Sequence, residues 1–194
     1  MTETAFQTVD RSAAPVTIRP YRPLDHRACR ELWAELAEAH REIYQDPAVG
    51  GADPGAGFEE YLTRLDLAGV WVAEHERAGV VGLIGLVLGG ATVGGALARP
   101  GSQPAGEVEP VVVTARLRGR GIGHELLEYV AAQARKRGMR QLSISPASRN
   151  VDAIRCLHAA GYDTLASVTL TMALVGGTDT GTAGLDLHGL DFLY

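Results

Sequence analysis

The sequence predicts a mixed α/β domain built on a single sheet. Three observations predict it. Apolar strand-type runs, such as Val80 to Leu88 and Glu107 to Val113, are interleaved with stretches whose apolar residues recur at helical spacing. Residues 107 to 123, Glu-Val-Glu-Pro-Val-Val-Val-Thr-Ala-Arg-Leu-Arg-Gly-Arg-Gly-Ile-Gly, carry an apolar strand through a basic, glycine-punctuated turn directly into a helix, His124 to Arg137. The chain has 194 residues, 46% of them hydrophobic, which suits one domain with a substantial core.

The elements follow in order. Residues 1–14 are polar and aperiodic and read as a loose tail. Val16 to Arg19 reads as a first strand, and Asp25 stands where it can cap a helix from His26 to about Gln45, ended by Asp46-Pro47. Ala28, Cys29, Leu32, Leu36, Ala39 and Ile43 form that helix's core stripe, with Trp33, His40 and Tyr44 as a second stripe beside it. A Gly/Pro/Asp loop over 46–56 precedes a short helix with Phe58, Tyr61, Leu62 and Leu65 inward. Val70 to Ala73 and Val80 to Leu88 form a strand pair around the turn Glu74 to Gly79. Gly89 to Gly106 has no periodicity and reads as a lid or rim.

After the strand Glu107 to Val113, the central helix turns Ile122, Leu126, Leu127, Val130 and Ala134 to one face. Gln141 to Ser145 is a strand, and Asn150 caps a helix that stops at Gly161. Thr164 to Leu174 alternates like a half-buried strand. Residues 175–194 read as a linker and a C-terminal docking tail, its apolar segment Leu185 to Tyr194 seated on the domain or against a second subunit.

Composition narrows the function. The formal net charge of −5 argues against general nucleic-acid binding and favours an amine-bearing partner. No apolar run has the length of a membrane span and no signal-peptide pattern precedes Arg11, so a cytoplasmic protein is expected. Cys29 and Cys156 make no disulfide framework and are expected as reduced thiols; no metal is expected.

The stretch 107 to 123 carries the chemistry. Its turn leaves backbone N–H groups unpaired at a helix N-terminus, where they can grip a phosphate. Arg116, Arg118 and Arg120 add positive charge, and Gly119, Gly121 and Gly123 clear side chains from the approach to the backbone. The same glycines suit a tight strand–helix turn or a dinucleotide fingerprint. The fingerprint, however, wants an early βαβ unit and an acidic end to the next strand, whereas this loop lies late and the next strand ends in Ser145-Pro146.

Over about Val16 to Leu174 the chain resembles the GNAT superfamily of acyl-CoA-dependent N-acyltransferases. Its Arg118-Gly119-Arg120-Gly121-Ile122-Gly123 matches the family's Arg/Gln-x-x-Gly-x-Gly/Ala loop, and Asn150, Ala153 and Gly161-Tyr162 match a second pattern one strand later. The resemblance implies a single domain over residues 15–174, its mixed, mostly antiparallel sheet splayed between the fourth and fifth strands and flanked by about four helices. It implies acetyl-CoA as acyl donor, with the pyrophosphate on the backbone of Arg118, Gly119, Arg120, Gly121, Ile122, Gly123 and His124. Asn150 and Ala153 belong to the same cofactor set, Val111 and Val113 hold the positions that pair with the pantetheine arm, and the amide of Val111 or Val112 would polarise the thioester carbonyl. Pro110, which has no N–H to donate, marks a bulge or break in the strand's pairing.

Glu107 matches the place of a catalytic glutamate in several family members, and Glu107-x-x-Pro-x-Val-Val resembles the corresponding strand of aminoglycoside acetyltransferases. Period-two alternation puts Glu107 and Glu109 on one face with Val111 and Val113, as bases or as counter-ions for substrate. The family's proton-donating tyrosine falls at Leu157, a departure that leaves a water or a tyrosine such as Tyr194 for that role. Trp33, His40 and Tyr44 either line the acceptor pocket or pack. The resulting expectation is an N-acetyltransferase acting on a primary amine of a small molecule by direct attack in a ternary complex, with a homodimer left open. The alternatives are a catalytically idle acyl-CoA-binding or regulatory domain, or an acetyltransferase for protein amino groups.

Overall fold

The apolar runs of the second and third strands need cover on both faces, and the fold supplies it. The computed structural model describes residues 16–89, 92–93, 96–97, 104–170, 172 and 183–193. Strands β1 (Val16–Pro20), β2 (Leu67–His75), β3 (Gly79–Leu88), β4 (Ala105–Val113) and β5 (Gln141–Ser143) lie side by side in chain order. All pairs are antiparallel except β4 with β5, which are parallel. The helices are α1 (His26–Tyr44), α2 (Gly57–Leu62), α3 (Ile122–Lys136) and α4 (Val151–Ala159).

Alternate residues of the strands feed two cores. On one face, Ile84, Leu86 and Val108 pack with Ile122, Leu126, Leu127, Val130 and Leu157 of α3 and α4. On the other, Val72, Leu83, Val87 and Val112 pack with Cys29, Leu32, Phe58 and Tyr61 of α1 and α2. Burying a side chain such as Phe58 or Leu126 contributes about 1.5–3 kcal/mol, so each face is a large share of the driving force.

Polar contacts set how α1 sits. Asp25 is the residue before α1, but its carboxylate does not cap the helix. It accepts from both terminal guanidinium nitrogens of Arg19, at 2.7 and 2.8 Å, and from the Arg22 N–H at 2.8 Å. A buried carboxylate beside an arginine gains more from that pair than from a cap, and Arg19 also holds Glu74 of β2 at 2.6 Å. Further along, Arg30 joins Asp53 and Glu59, fastening the loop before α2 to α1. Of the expected stripe of α1, Cys29 and Leu32 are buried, Ala28, Leu36, Ala39 and Ile43 are half-buried, Ala37 is buried beside them, and the helix ends at Tyr44.

The C-terminal third departs from expectation in part. Helix α4 ends as predicted, with Gly161 and Tyr162 donating back to His158 and Leu157 in a Schellman arrangement. Residues 164–170 of the predicted strand Thr164 to Leu174 form no strand, and every one of them is exposed. Strand β5 is also shorter than Gln141 to Ser145. Leu65, expected inward, is fully exposed because α2 ends at Leu62. A separate hairpin, β6 (Ala183–Leu187) with β7 (Leu190–Leu193), occupies the expected docking tail. The tail 1–14, most of the predicted lid, most of the linker 175–184 and Tyr194 lie outside the described residues.

Arg19 holds the Asp25 carboxyl below the usual carboxylate range. A lowered folded-state pKa means stabilisation that is complete above the unfolded value, near 4, and lost as pH falls through the folded value. Asp25→Ala is therefore expected to cost about 1.5–3 kcal/mol in urea unfolding at pH 7, since Arg19 loses its bidentate partner and keeps only Glu74. The difference from wild type should shrink below about pH 4; an unchanged difference there removes the ion pair as the cause.

Candidate active site

The site is built where β4 stops being an ordinary strand. Strand β4 pairs with β5 only from Ala105 to Glu107, against Gln141 to Ser143. Beyond Glu107 the two strands part, and among the described residues no strand pairs with the β5-side edge of β4 from Val108 to Val113. On its other side β4 stays on β3 throughout, with one irregularity: Ile84 faces Val111 and Leu86 faces Val108. Two residues of β4, Glu109 and Pro110, thus stand against Gly85 alone, a β-bulge. The bulge expected from Pro110 is there.

This extra residue corrects the period-two reading of the strand. Val111 and Val113 pack toward the α3–α4 face, together with Val108. Glu109 instead reaches Arg64, at the end of α2, and Glu107 stands across from Val87 of the α1–α2 core. The two glutamates share a face with each other but not with Val111 and Val113. A second correction concerns Val112. The Thr114 N–H donates to Val81 C=O at 2.9 Å, so antiparallel alternation turns the main-chain groups of Val112 toward β3 as well. Those of Val111 and Val113 point the other way, into the splay. Val112 also buries its side chain in the α1–α2 core, so it belongs to the fold rather than to the slot.

The bulge is filled with unusual economy. Buried Tyr61 donates its hydroxyl to the Glu109 C=O that the bulge takes out of the ladder. A Cβ at Gly85 would lie 1.9 Å from the Tyr61 hydroxyl and 2.3 Å from that carbonyl, so only glycine fits. Burial, with the nearby Glu109 charge behind it, pushes the Tyr61 phenol well above its usual pKa and keeps it a donor. The Glu109 carboxylate meets Arg64 at 2.9 Å, and Arg64 makes two further bonds to Asp66, at 2.9 and 3.0 Å. Glu107 is half-buried where β4 and β5 part and, among the described residues, carries no ion pair.

At the far end of β4 the glycine turn forms as the sequence implies. A single 3₁₀ turn, Ala115–Leu117, leads to Gly119 at φ +74° and Gly121 at φ +84°, a left-handed pair that glycine accepts without cost. No side chain caps α3, and the first main-chain bond of its opening turn is Glu125 N–H to Gly121 C=O at 3.0 Å. The N–H groups of Ile122, Gly123 and His124 therefore precede the first hydrogen bond of the helix and have no acceptor within it, at its positive end. A Cβ on Gly119 or Gly121 would touch nothing in the protein, so the room beside the turn is available to a ligand. Arg116 and Arg120 are exposed there; Arg118 is exposed too, with its Nε on the Val113 C=O at 3.0 Å. His124 leans on Glu128 one turn along.

One contributor has no sequence signal. Glu35 of α1 accepts the Thr114 hydroxyl and the Ala115 N–H, both at 2.8 Å, and so pins the start of the turn to the opposite layer. Other predicted residues find structural work. Asn150 caps α4, its Oδ1 accepting the Ala153 N–H at 3.2 Å. Trp33 packs against Phe58 and Tyr61, with ring centroids at 5.9 and 5.2 Å, while His40 and Tyr44 form an edge pair. Leu157 is in the α3–α4 core and Cys29 is fully buried, its thiol pushed up to about 12 by burial.

Residues 28–162 match the acetyltransferase (GNAT) family. No curated protein matches the sequence. Among solved structures, a mutant of the BH1408 protein from Bacillus halodurans is 18% identical with a TM-score of 0.69, covering 82% of this chain and 99% of its own. An aminoglycoside N-acetyltransferase, AAC(6')-Iy in complex with CoA, is 17% identical with a TM-score of 0.59, covering 83% and 96%. The glucosamine-6-phosphate N-acetyltransferase from Arabidopsis thaliana is 20% identical with a TM-score of 0.55, covering 83% and 99%.

The Tyr61–Gly85–Glu109 contact is testable on its own. Gly85→Ala should destabilise the fold by about 1–3 kcal/mol, since the methyl group must displace a buried hydroxyl and a carbonyl. Pairing it with Tyr61→Phe in a double-mutant cycle should give a coupling clearly different from zero; additive losses would mean that the methyl group is accommodated elsewhere.

Proposed function

The chain belongs to the GNAT acetyltransferase family, an acyltransferase with acetyl-CoA as donor, and from that premise we propose that it acetylates a primary amine of a small molecule by direct attack in a ternary complex. The observation that carries the reading is the alignment of three features on one strand: the open β4 edge, the uncapped α3 N-terminus at one end of it, and Glu107 at the other. Acetyl-CoA supplies an activated thioester. The N–H groups of residues 119–124, the positive end of α3 and the arginines of the turn would hold its pyrophosphate, and the outward main-chain groups of Val111 and Val113 would line its arm.

The chain's own residues then divide the work. Glu107 receives the proton of the amine, directly or through water, so that the nucleophile is neutral when the C–N bond forms. Glu109, already paired with Arg64, orients the acceptor and complements its charge. The departing thiolate takes its proton from water, because Leu157 has no proton to give. Direct attack is favoured over an acyl-cysteine route because burial raises both thiols and keeps them protonated. A small, cationic acceptor fits the carboxylates around the α1–α2 side and the net charge of −5. The aminoglycoside and glucosamine-6-phosphate acetyltransferases of the same fold favour a small molecule over a protein amino group.

Acetyl-CoA titration by thermal shift, followed by free-thiol release over a panel of amines, tests the proposal. Stabilisation by acetyl-CoA without thiol release on any small amine would instead indicate an idle acyl-CoA-binding domain or a protein acceptor. Gly121→Glu should abolish the acetyl-CoA thermal shift, because it brings bulk and negative charge to the pyrophosphate position; an undiminished shift removes the cradle assignment. Glu107→Gln should lower kcat by about 10²-fold or more with little change in acetyl-CoA affinity, while Glu109→Gln should act mainly on the acceptor KM. An unchanged kcat in Glu107→Gln rules out the base.

A further inference from the structure

One row of side chains crosses the sheet through Glu107 and can be followed strand by strand. Leu67 of β2 stands beside Val87 of β3, Val87 beside Glu107 of β4, and Glu107 beside Ser143 of β5. Val87 is in the α1–α2 core and Leu67 packs against it, so the row lies on that face. The neighbours of Ser143 fix its direction. Leu142 and Ile144 pack toward the α3–α4 core, and alternation turns the residue between them the other way. Glu107 and Ser143 are therefore adjacent side chains on one face, on strands about 4.8 Å apart.

Their surroundings leave these two groups to each other. Both are half-buried, and they form the last pair before β4 and β5 part, so the splay opens beside them. On its other flank Glu107 has the apolar Val87 and Leu67. The charged groups on this side are Glu109, Arg64 and Asp66, which are bound to one another. The Ser143 hydroxyl donates to the Gly106 C=O at 3.4 Å. A hydroxyl donor normally sits at about 2.7–2.8 Å, so little holds it there.

We propose that Ser143 is the positioning residue of the Glu107 base. Rotation about its Cα–Cβ bond takes the hydroxyl from the Gly106 carbonyl to one carboxylate oxygen of Glu107, where the hydrogen bond is charge-assisted and stronger. The second carboxylate oxygen is then aimed into the splay, toward the attacking amine or the water that relays its proton. In the transfer an N–H bond of the ammonium breaks and an O–H bond forms on Glu107, while Ser143 keeps its own proton. Without the serine, a carboxylate that has no ion pair among the described residues would spread over several rotamers and lose the advantage of a placed base. The inference rests on Glu107 being the base, and so on the function proposed above.

Two measurements test it, and the first needs no acceptor. With isotope-labelled glutamate carboxyls, the NMR signal of Glu107 is identified by its loss in Glu107→Gln and followed against pH. A hydroxyl donating to the carboxylate favours its ionised form. The Glu107 titration should therefore move to higher pH in Ser143→Ala and return in Ser143→Thr, which keeps the hydroxyl and suits a strand. Glu109, paired with Arg64, should stay in place as the internal control. An unmoved Glu107 signal in Ser143→Ala overturns the proposal, whatever the acceptor is. In turnover, Ser143→Ala should lower kcat about 10-fold or more with acetyl-CoA affinity unchanged, the equivalent of one hydrogen bond to a charged group. Ser143→Thr should restore the rate, and Ser143→Ala should cost nothing further in a Glu107→Gln background. Additive losses overturn the positioning role. A protein that acetylates no amine removes the base reading by itself, while the carboxyl titration still decides whether Ser143 holds Glu107.

Discussion

One surplus residue in β4 governs the site. A strand that paired evenly with β3 would keep Glu107, Glu109, Val111 and Val113 on one face, and carboxylates and valines would compete for the same layer. Setting Glu109 and Pro110 against Gly85 alone resolves the conflict. Up to and at the start of the bulge, the glutamates face the α1–α2 side. Beyond it, the valine side chains join the α3–α4 core and their main-chain groups face the splay. The bulge is held by a glycine that leaves room and a buried tyrosine hydroxyl that fills it, so a change at one is felt at the other.

The same strand ties the two layers of the molecule together. Its start pairs with β5, its middle is gripped by Tyr61 of α2, and its end is fixed by Glu35 of α1 through Thr114 and Ala115. A phosphate-binding turn whose first residues were loose would lose part of each contact to ordering its own backbone. Two charge-assisted hydrogen bonds at its root make it pre-organised, while the N–H groups beyond remain open. The helix behind the turn is anchored by Ile122, Leu126 and Leu127 in the core, so its dipole cannot drift from the place where the turn aims it.

The legibility of these features follows their range in sequence. The glycine turn, the Asn150 cap, the Gly161 stop and the core stripe of α3 are local: each depends on residues within one or two turns of each other, and all were readable. The break at Pro110 was readable for the same reason, since a missing N–H is a property of one residue. The consequence of the bulge was not, because a reversed face shows only once β3 supplies the partner that counts the residues. Gly85 did carry a signal, as a glycine inside an apolar strand, although nothing in the chain said that Tyr61 would be its neighbour. Glu35 gave none; it is one more glutamate on an amphipathic helix until the turn folds against it. Asp25 looked like a cap because helix caps are local, and lost that role to an arginine six residues away on β1. In Thr164 to Leu174 the alternation suggests a strand, yet residues 164–170 form none, because alternation alone does not supply a partner to pair with.

The place of Leu157 bears on how the proposed chemistry could run at all. A tyrosine there would have to abandon the α3–α4 core or bury its hydroxyl, and the leucine instead completes the packing around Leu126 and Val130. Tyr162 packs beside it, but its hydroxyl is buried, finds no partner among the described residues and is pushed up to about 12 by burial. That phenol stays neutral, and to serve as an acid it would first have to move. An enzyme so arranged leans on the leaving group: a thiolate tolerates departure without a proton far better than an alkoxide does. The catalytic demand then falls on the other half of the exchange, the removal of a proton from an ammonium. A carboxylate without an ion pair is the better acceptor for it, and among the described residues Glu107 has none, which is why Glu107, rather than the arginine-bound Glu109, stands at the centre of the proposed reaction.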